Sequence, residues 1–194
     1  MNNVCIRAHS AEKDDLRGSV GKNILTELCL SGKIPMSNYN YEEDAIIVQP
    51  IEEYPFKEYR RIDDGKVLTV IRSIDLVYVV SPGKYAAAKG DCFTVGVEIK
   101  TRGNDIMRDP TQIPSYLGQT HYFFLAVPAR LVNMAMESFK NQSNVGVMDM
   151  TNRKIVRFPK RQLVSESAIS TMLYRSVFSK RILPIMCFRP SKKE

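Results

Sequence analysis

Hydrophobic residues recur at helical spacing near the start of the chain. The residues that recur every four positions are Leu16, Val20, Ile24 and Leu28. This stripe predicts a helix over Glu12–Leu30, with Ser10 as its N-cap. Glu27 lies beside the stripe, so its carboxylate is either at the margin of the buried face or retained for chemistry.

Two aliphatic runs in the middle of the chain predict paired strands. The run Lys66–Val80 follows Asp64-Gly65, a sequence typical of a hairpin turn. The second run covers Cys92–Lys100, and Pro82-Gly83 marks a turn between the two. We therefore expect the two runs to form an antiparallel hairpin.

The segment before this hairpin, residues 37–64, has a weaker pattern. Ala45–Val48 predicts a short strand, whereas Pro50 and Pro55 break the alternation that a longer strand needs. Acidic residues and tyrosines dominate the rest of the segment. We therefore expect one short strand followed by an irregular excursion.

The second half of the chain alternates between helical and strand patterns. Thr120–Val127 is a nearly continuous apolar run, typical of a strand buried on both faces. The other predicted elements are a partly helical segment (Asp105–Leu117), a helix (Ala129–Lys140), a hairpin (Val145–Met150 with Lys154–Phe158) and a final helix (Ser165–Arg181). This order predicts an α/β fold with a mixed central β-sheet flanked by helices. We expect a single domain over residues 1–194, with a basic tail from about residue 182.

Composition narrows the class of protein. The 194 residues are 44% hydrophobic and 25% charged, which excludes a disordered or collagen-like chain. No apolar run approaches the roughly 20 residues that cross a bilayer, and the N-terminus carries no apolar signal segment. We therefore expect a cytoplasmic protein without a membrane partner. The sequence has neither a G-x-G-x-x-G motif nor a P-loop, so no nucleotide cofactor is expected.

The positive charge is concentrated at the C-terminal end of the chain. The net charge is +7, and residues 153–194 hold eleven Lys/Arg against two Asp/Glu, whereas the rest of the chain holds 17 against 19. A basic surface of this kind attracts polyanions, so DNA is the expected partner. Arg175, Lys180 and Arg181 are the candidate DNA-binding residues. The other interpretation is a solvated surface that ends in a frayed tail.

Charged residues inside the two middle strands are the candidate chemistry. Glu98 and Lys100 alternate with apolar residues, so both lie on one face of the sheet, and Asp75 on the paired strand can project beside Glu98. Two adjacent carboxylates repel each other unless a cation neutralises them. We therefore predict a Mg²⁺ site formed by Asp75, Glu98 and the backbone carbonyl of Ile99. Lys100 would stabilise negative charge on a phosphate bound there.

A purely structural interpretation of these residues stays open. Glu98-Ile99-Lys100 can be a solvated face on which the lysine screens the glutamate, and the turn sequence Asp64-Gly65-Lys66 matches the same short pattern. Chemistry is favoured because the charged residues interrupt strands that otherwise belong to a core. Buried charge is costly there and is rarely retained without a role.

Asp75 is followed 23 positions later by Glu98-Ile99-Lys100 on a second strand. This arrangement resembles the PD-(D/E)XK, or restriction-endonuclease-like, superfamily. The stretch VGVEIKTRGNDIMRDPTQIPSYLGQTHYFFLAVP also resembles the MmcB-like DNA-repair group of that superfamily. The resemblance covers Arg72–Pro128. It departs from the superfamily pattern in having Ile74 before Asp75 where the name of the superfamily has proline.

The resemblance implies a fold and an activity. The implied fold is a restriction-endonuclease-like core of the α-β-β-β-α-β type, here with an added C-terminal hairpin and helix. The implied activity is Mg²⁺-dependent DNA hydrolysis in DNA repair or defence, in which Mn²⁺ can substitute. Asp75 and Glu98 would be metal ligands, Lys100 the catalytic lysine, and Glu27 an additional acidic ligand. Duplex cleavage by one small domain would favour a homodimer or a partner subunit.

Two other functions fit the same sequence. One is a non-catalytic nucleic-acid-binding module that retains the nuclease fold and binds without a metal. The other is a structural or regulatory protein whose acidic cluster is a network of salt bridges. Metal titration would separate the enzyme from both, and salt-dependent DNA affinity would separate the two from each other.

Weaker candidates follow the second middle strand. Asp105 and Asp109 stand four residues apart, so they either line a cleft or support the N-terminus of a helix. His121 is expected to be a structural histidine rather than a general base. Tyr116 and Tyr122 are expected to be core or rim aromatics.

Overall fold

A computed structural model describes residues 46–62, 65–82, 92–108, 112–178 and 186–188. The helix predicted over Glu12–Leu30, which includes Glu27, lies outside these residues. The strands are β1 (Ile46–Arg61), β2 (Val67–Pro82), β3 (Phe93–Ile99), β4 (Tyr122–Val127), β5 (Val145–Asp149), β6 (Lys154–Arg157) and β7 (Met186–Phe188). The helices are α1 (Gly103–Arg108), α2 (Ile113–Tyr116), α3 (Val132–Ser138) and α4 (Glu166–Phe178), and a 3-10 turn at Ala129–Leu131 precedes α3.

The strands of the described ranges form one seven-stranded mixed sheet, in the order β6-β5-β4-β3-β2-β1-β7. The first three strands form an antiparallel meander, β3, β4 and β5 run parallel, and β6 and β7 are antiparallel to their neighbours. The predicted α/β class is therefore confirmed. The predicted hairpins, β2 with β3 and β5 with β6, are also confirmed.

Strand β1 corrects one expectation. Residues predicted as a short strand and an irregular excursion form a single strand of 16 residues, paired with β2 from Ile46↔Pro82 to Arg61↔Val67. β7 pairs with β1 only at residues 46–48. Within the described residues, the rest of β1 is therefore a sheet edge, where a residue without an N–H group is tolerated. Pro50 and Pro55 accordingly do not end the strand.

The described helices pack against one face of the sheet. The helical residues in the core cluster of that face are Ile106, Ile113, Tyr116, Ala135 and Met172. Side chains of the opposite face form a second buried cluster, whose described members on β2, β3 and β4 include Tyr78, Val95 and Phe124. None of the described helices is long and apolar enough to cross a membrane.

Both strands of the long hairpin switch faces at the same level. Ile51 and Tyr54 on β1 belong to one core cluster, and so do Ile74 and Val77 on β2. Residues three apart on a regular strand lie on opposite faces, so each strand must switch between them. The switch falls at Glu53, whose φ is +49°, and at Asp75. The register leaves both residues unpaired between Glu52↔Leu76 and Tyr54↔Ile74. The irregularity thus marks the position of a candidate site residue.

Candidate active site

The two middle strands separate at Asp75. The β2–β3 pairing ends at Leu76↔Val97, and the Ile99 N–H then donates to Asp75 Oδ2 at 2.8 Å. The Asp75 N–H donates to Glu98 Oε2 at 3.3 Å. Where β2 and β3 separate, hydrogen bonds between side chains and the main chain thus replace the main-chain hydrogen bonds of the sheet. We call Asp75, Glu98 and Lys100 the fork cluster.

Lys100 completes the fork cluster from the end of β3. Its N–H donates to the Ala126 carbonyl at 3.0 Å, which extends the parallel pairing with β4 by one residue. Its Nζ lies 3.0 Å from Glu98 Oε1, and the two side chains are 15% and 6% exposed. Lys100 and Glu98 therefore form an ion pair, and Asp75 lies at the same place through its main-chain N–H bond to Glu98 and its carboxylate bond to the Ile99 N–H. They are largely shielded from water, which strengthens their electrostatic interactions.

The donor atoms of the fork fit a hard divalent cation. Asp75 and Glu98 are 7% and 5% exposed, so their carboxylates are presented in a protected place. The N–H and C=O of one strand residue point to the same side, so the Ile99 carbonyl also points toward the Asp75 side. Two carboxylates and a carbonyl, completed by water, are ligands that Mg²⁺ accepts. The fork supplies two such side chains. A site with three or more His, Cys, Asp or Glu ligands is not found among the described residues.

Several predicted site residues cannot be placed beside the fork. Glu27, Lys180, Arg181 and Asp109 lie outside the described residues. Arg175 lies on α4, but its side chain is outside the described part. Asp105 lies in the first turn of α1, and its N–H donates to the Arg102 carbonyl. Its position agrees with support of the helix N-terminus.

His121 is held as a structural residue, in agreement with its prediction. Its Nδ1 accepts a hydrogen bond from the Thr94 N–H at 3.0 Å, and its own N–H donates to Thr94 Oγ1 at 3.0 Å. Burial lowers the pKa of His121 to about 4, and the positive charge of Arg161 adds to this effect. The ring is therefore neutral at neutral pH. It joins the start of β4 to β3.

The lowered pKa of His121 predicts acid sensitivity. An unfolded histidine takes up its proton near pH 6.5, whereas the folded one does so near pH 4, so His121 favours folding above pH 6.5 and loses that contribution as the pH falls. We expect His121 to contribute about 2 kcal/mol to the fall in unfolding free energy between about pH 7 and pH 4.5. Urea unfolding of the parent and His121→Asn at both pH values measures it. Asparagine can accept the Thr94 N–H but does not titrate, so parallel pH profiles would contradict the prediction.

Two polar residues at the carboxyl ends of the parallel strands were not predicted as site residues from the sequence. Asp149 is 7% exposed, and its carboxylate accepts bonds from the N–H groups of Thr151 and Asn152 at 2.9 and 3.0 Å. Its role is to shape the β5–β6 turn, as the sequence Asp-x-Thr-Asn could have indicated. Arg130 is exposed, and its Nη2 donates to the Thr101 carbonyl at 2.9 Å. The sequence signal that could have indicated Arg130 is its position just after the predicted buried strand Thr120–Val127.

Comparison with known proteins does not identify the chain. No protein-family model and no curated protein matches it. One similar solved structure is a protein of unknown function from Silicibacter pomeroyi (SPO1766), with 16% sequence identity and a TM-score of 0.43. The match covers 67% of this chain and 72% of that one. Similarity at this level identifies neither a family nor a function.

Proposed function

We propose that the protein is a Mg²⁺-dependent nuclease that hydrolyses DNA phosphodiester bonds, with a restriction-endonuclease-like fold. The observation that carries the proposal is the fork cluster, in which the buried carboxylates of Asp75 and Glu98 each accept a main-chain N–H of the facing strand and Lys100 pairs with Glu98. The order of the described elements supports the fold. An antiparallel meander, two short helices and a strand parallel to β3 match the β-β-β-α-β part of that core.

The carboxylates of the fork are the proposed metal ligands. The Ile99 N–H fixes the orientation of the Asp75 carboxylate, and the Asp75 N–H does the same for Glu98. Main-chain donors therefore prepare both groups before a ligand arrives. When bound, Mg²⁺ or Mn²⁺ would lower the pKa of a water molecule and stabilise charge on the phosphate. Asp75, Glu98 and the Ile99 carbonyl would hold it, with Glu27 as a proposed additional ligand.

Lys100 is the proposed catalytic lysine. Its ammonium lies 3.0 Å from Glu98 Oε1, so it carries positive charge beside the place where a phosphate would meet the carboxylates. Negative charge on that phosphate increases in the transition state. A fixed cation in a shielded site stabilises this extra charge more than it stabilises the substrate. Lys100 therefore acts on the rate of the chemical step.

The biological setting follows from the same proposal. A DNA nuclease of this kind acts in DNA repair or defence, in the cytoplasm, without a nucleotide cofactor or a membrane partner. One fork cluster would cut one strand. Cleavage of both strands of a duplex therefore calls for a homodimer or a partner subunit.

A non-catalytic DNA-binding module is the second candidate. It is favoured by the ion pair between Lys100 and Glu98, which satisfies part of the negative charge without a metal. The described residues also supply two carboxylates to the fork, and a third acidic ligand is not among them. Such a module would bind DNA but leave every phosphodiester bond intact.

Cleavage assays test the proposed activity. Single-stranded, duplex, flapped and abasic DNA would each be incubated with the protein and Mg²⁺ or Mn²⁺. We expect metal-dependent cleavage of at least one substrate and none in EDTA. Glu98→Gln should lose activity, because its amide keeps the shape but not the charge of a metal ligand.

Glu137→Gln is the matched control for this assay. Its side chain is 73% exposed on the last turn of α3, and it should cleave like the parent. Parental activity in Glu98→Gln would show that the fork is not the site. Salt-sensitive DNA binding without any cleavage would favour the binding module.

A further inference from the structure

The loops that follow β3, β4 and β5 meet at one edge of the sheet. The three strands are parallel neighbours, so their carboxyl ends lie side by side. We call residues 100–102, 128–131 and 150–153 the carboxyl rim. Lys100 belongs to the carboxyl rim and to the fork cluster. The rim therefore begins at the fork cluster and continues across the ends of β4 and β5.

Hydrogen bonds join the three loops of the carboxyl rim into one structure. Arg130 Nη2 donates to the Thr101 carbonyl at 2.9 Å, which ties the second loop to the first. The Ala129 N–H donates to Thr151 Oγ1 at 3.0 Å, which ties it to the third. The carboxylate of Asp149 then fixes the third loop through the Thr151 N–H. The three loops therefore form one connected surface, in which the Arg130 guanidinium is held in place.

Positive charge dominates the exposed part of this rim. Arg102, Arg130 and Arg153 are all exposed. In the part of the chain that the structure describes, neither Arg130 nor Arg153 forms an ion pair. The carboxylate of Asp149 is buried and accepts three bonds within its own turn. Among the described residues, Arg130 and Arg153 thus have no acidic side chain that neutralises them.

We infer that the carboxyl rim binds the phosphate backbone of the nucleic-acid substrate, with Arg130 holding a phosphate beside the fork cluster and Arg153 holding one further along. The inference rests on the proposed nuclease function and names the surface that would present the substrate to Lys100. Arg130 uses one of its five N–H donors to reach Thr101, so the guanidinium is anchored while other donors remain for a phosphate.

The dimensions of the rim agree with a nucleic-acid backbone. From β3 to β5 the rim crosses two strand spacings, roughly 10 Å at about 4.8 Å each. One DNA strand carries a phosphate about every 3.4 Å along the helix axis, so a span of this length can face more than one phosphate. The rim lies at the fork cluster, whereas the DNA-binding cations expected from the sequence lie on the predicted final helix. The two locations make different predictions about which arginines matter.

DNA binding without metal tests the inference separately from cleavage. The affinity for a fluorescein-labelled duplex would be measured by anisotropy in EDTA over a range of salt concentrations. Arg130→Gln and Arg153→Gln should each weaken binding about tenfold at low salt, and each should reduce the slope of log K against log[salt] by about 0.9. The double variant should reduce the slope by about twice that amount.

Arg161→Gln is the matched control. Arg161 is an exposed arginine at the other edge of the sheet, where the neighbouring Gln162 N–H donates to the His121 carbonyl just before β4. This variant should bind like the parent. Equal losses in all three variants would mean that net charge alone matters and would overturn the inference.

The outcomes separate this inference from the proposed nuclease activity. Parental slopes in Arg130→Gln and Arg153→Gln, with metal-dependent cleavage intact, would reject the rim and keep the nuclease. Weakened binding in both variants, with no cleavage under any metal, would keep the rim and reject the nuclease. A parent protein that does not bind the duplex at low salt would reject the rim.

Discussion

Replacing Lys100 with alanine should lower the rate of DNA cleavage by about 10²–10³-fold, the loss expected when one fixed charge-stabilising group is removed. The fold should persist, because the Lys100 N–H keeps its bond to the Ala126 carbonyl whatever the side chain is. Metal binding should also persist. Removing a cation 3.0 Å from Glu98 Oε1 leaves the attraction of the two carboxylates for Mg²⁺ undiminished.

Three measurements on Lys100→Ala check this expectation. Single-turnover cleavage gives the chemical rate, calorimetric titration with Mn²⁺ gives metal affinity, and thermal unfolding gives stability. Lys140→Ala is the control, because Lys140 is 61% exposed and pairs with Glu137, three residues before it. A variant that cleaves as fast as the parent would remove Lys100 from the chemistry. A variant that loses both its Mn²⁺ affinity and its thermal stability would show that Lys100 has a structural role.

Gly146→Ala should lower the free energy of unfolding by about 3 kcal/mol. A Cβ at this position on β5 would lie 2.6 Å from Cδ1 of Phe124 and 2.7 Å from Cδ of Pro159. Phe124 is fully buried and Pro159 is a rigid ring, so neither can yield without disturbing the core. Chemical denaturation measures the change. The melting temperature should fall by roughly 6–12 °C for a chain of this size.

Gly103→Ala is the matched control for this prediction. A Cβ there would lie 3.3 Å from the end of the Met134 side chain, which can adjust, and 3.9 Å from Leu131 Cδ2, an ordinary contact distance. The first turn of α1 also favours alanine over glycine. This variant should be as stable as the parent or slightly more so. Equal stability of both variants would show that the sheet near Phe124 relaxes more easily than its packing indicates.

The elements near the fork were predictable from sequence because local signals agreed there. Aliphatic runs defined β2 and β3, and the glycine of the β1–β2 turn has a φ of +71°, as a hairpin turn requires. The alternation of Glu98 and Lys100 with apolar residues placed both on one face, with Glu98 beside Asp75. The hydrogen bonds of the fork agree with that placement. Periodicity and turn chemistry were sufficient for these features.

Features that depend on distant partners could not be predicted in this way. β1 contains two prolines, and only its edge position explains why it continues through them. β7 has three residues, too few for a periodic signal, and pairs with β1 from the other end of the chain. Arg130 acquires its place from a bond to Thr101, 29 residues earlier. Each of these features exists only once the sheet has formed.

The orientation of the fork carboxylates has a consequence for how this sequence can change. Asp75 and Glu98 are both held by main-chain N–H groups, which every residue except proline provides. Substitution of Ile99 by another apolar residue would therefore leave the donor in place. The orientation of the two carboxylates thus depends more on the path of the main chain than on the identity of the neighbouring side chains. The surrounding sequence is consequently able to diverge widely while the two carboxylates keep their geometry.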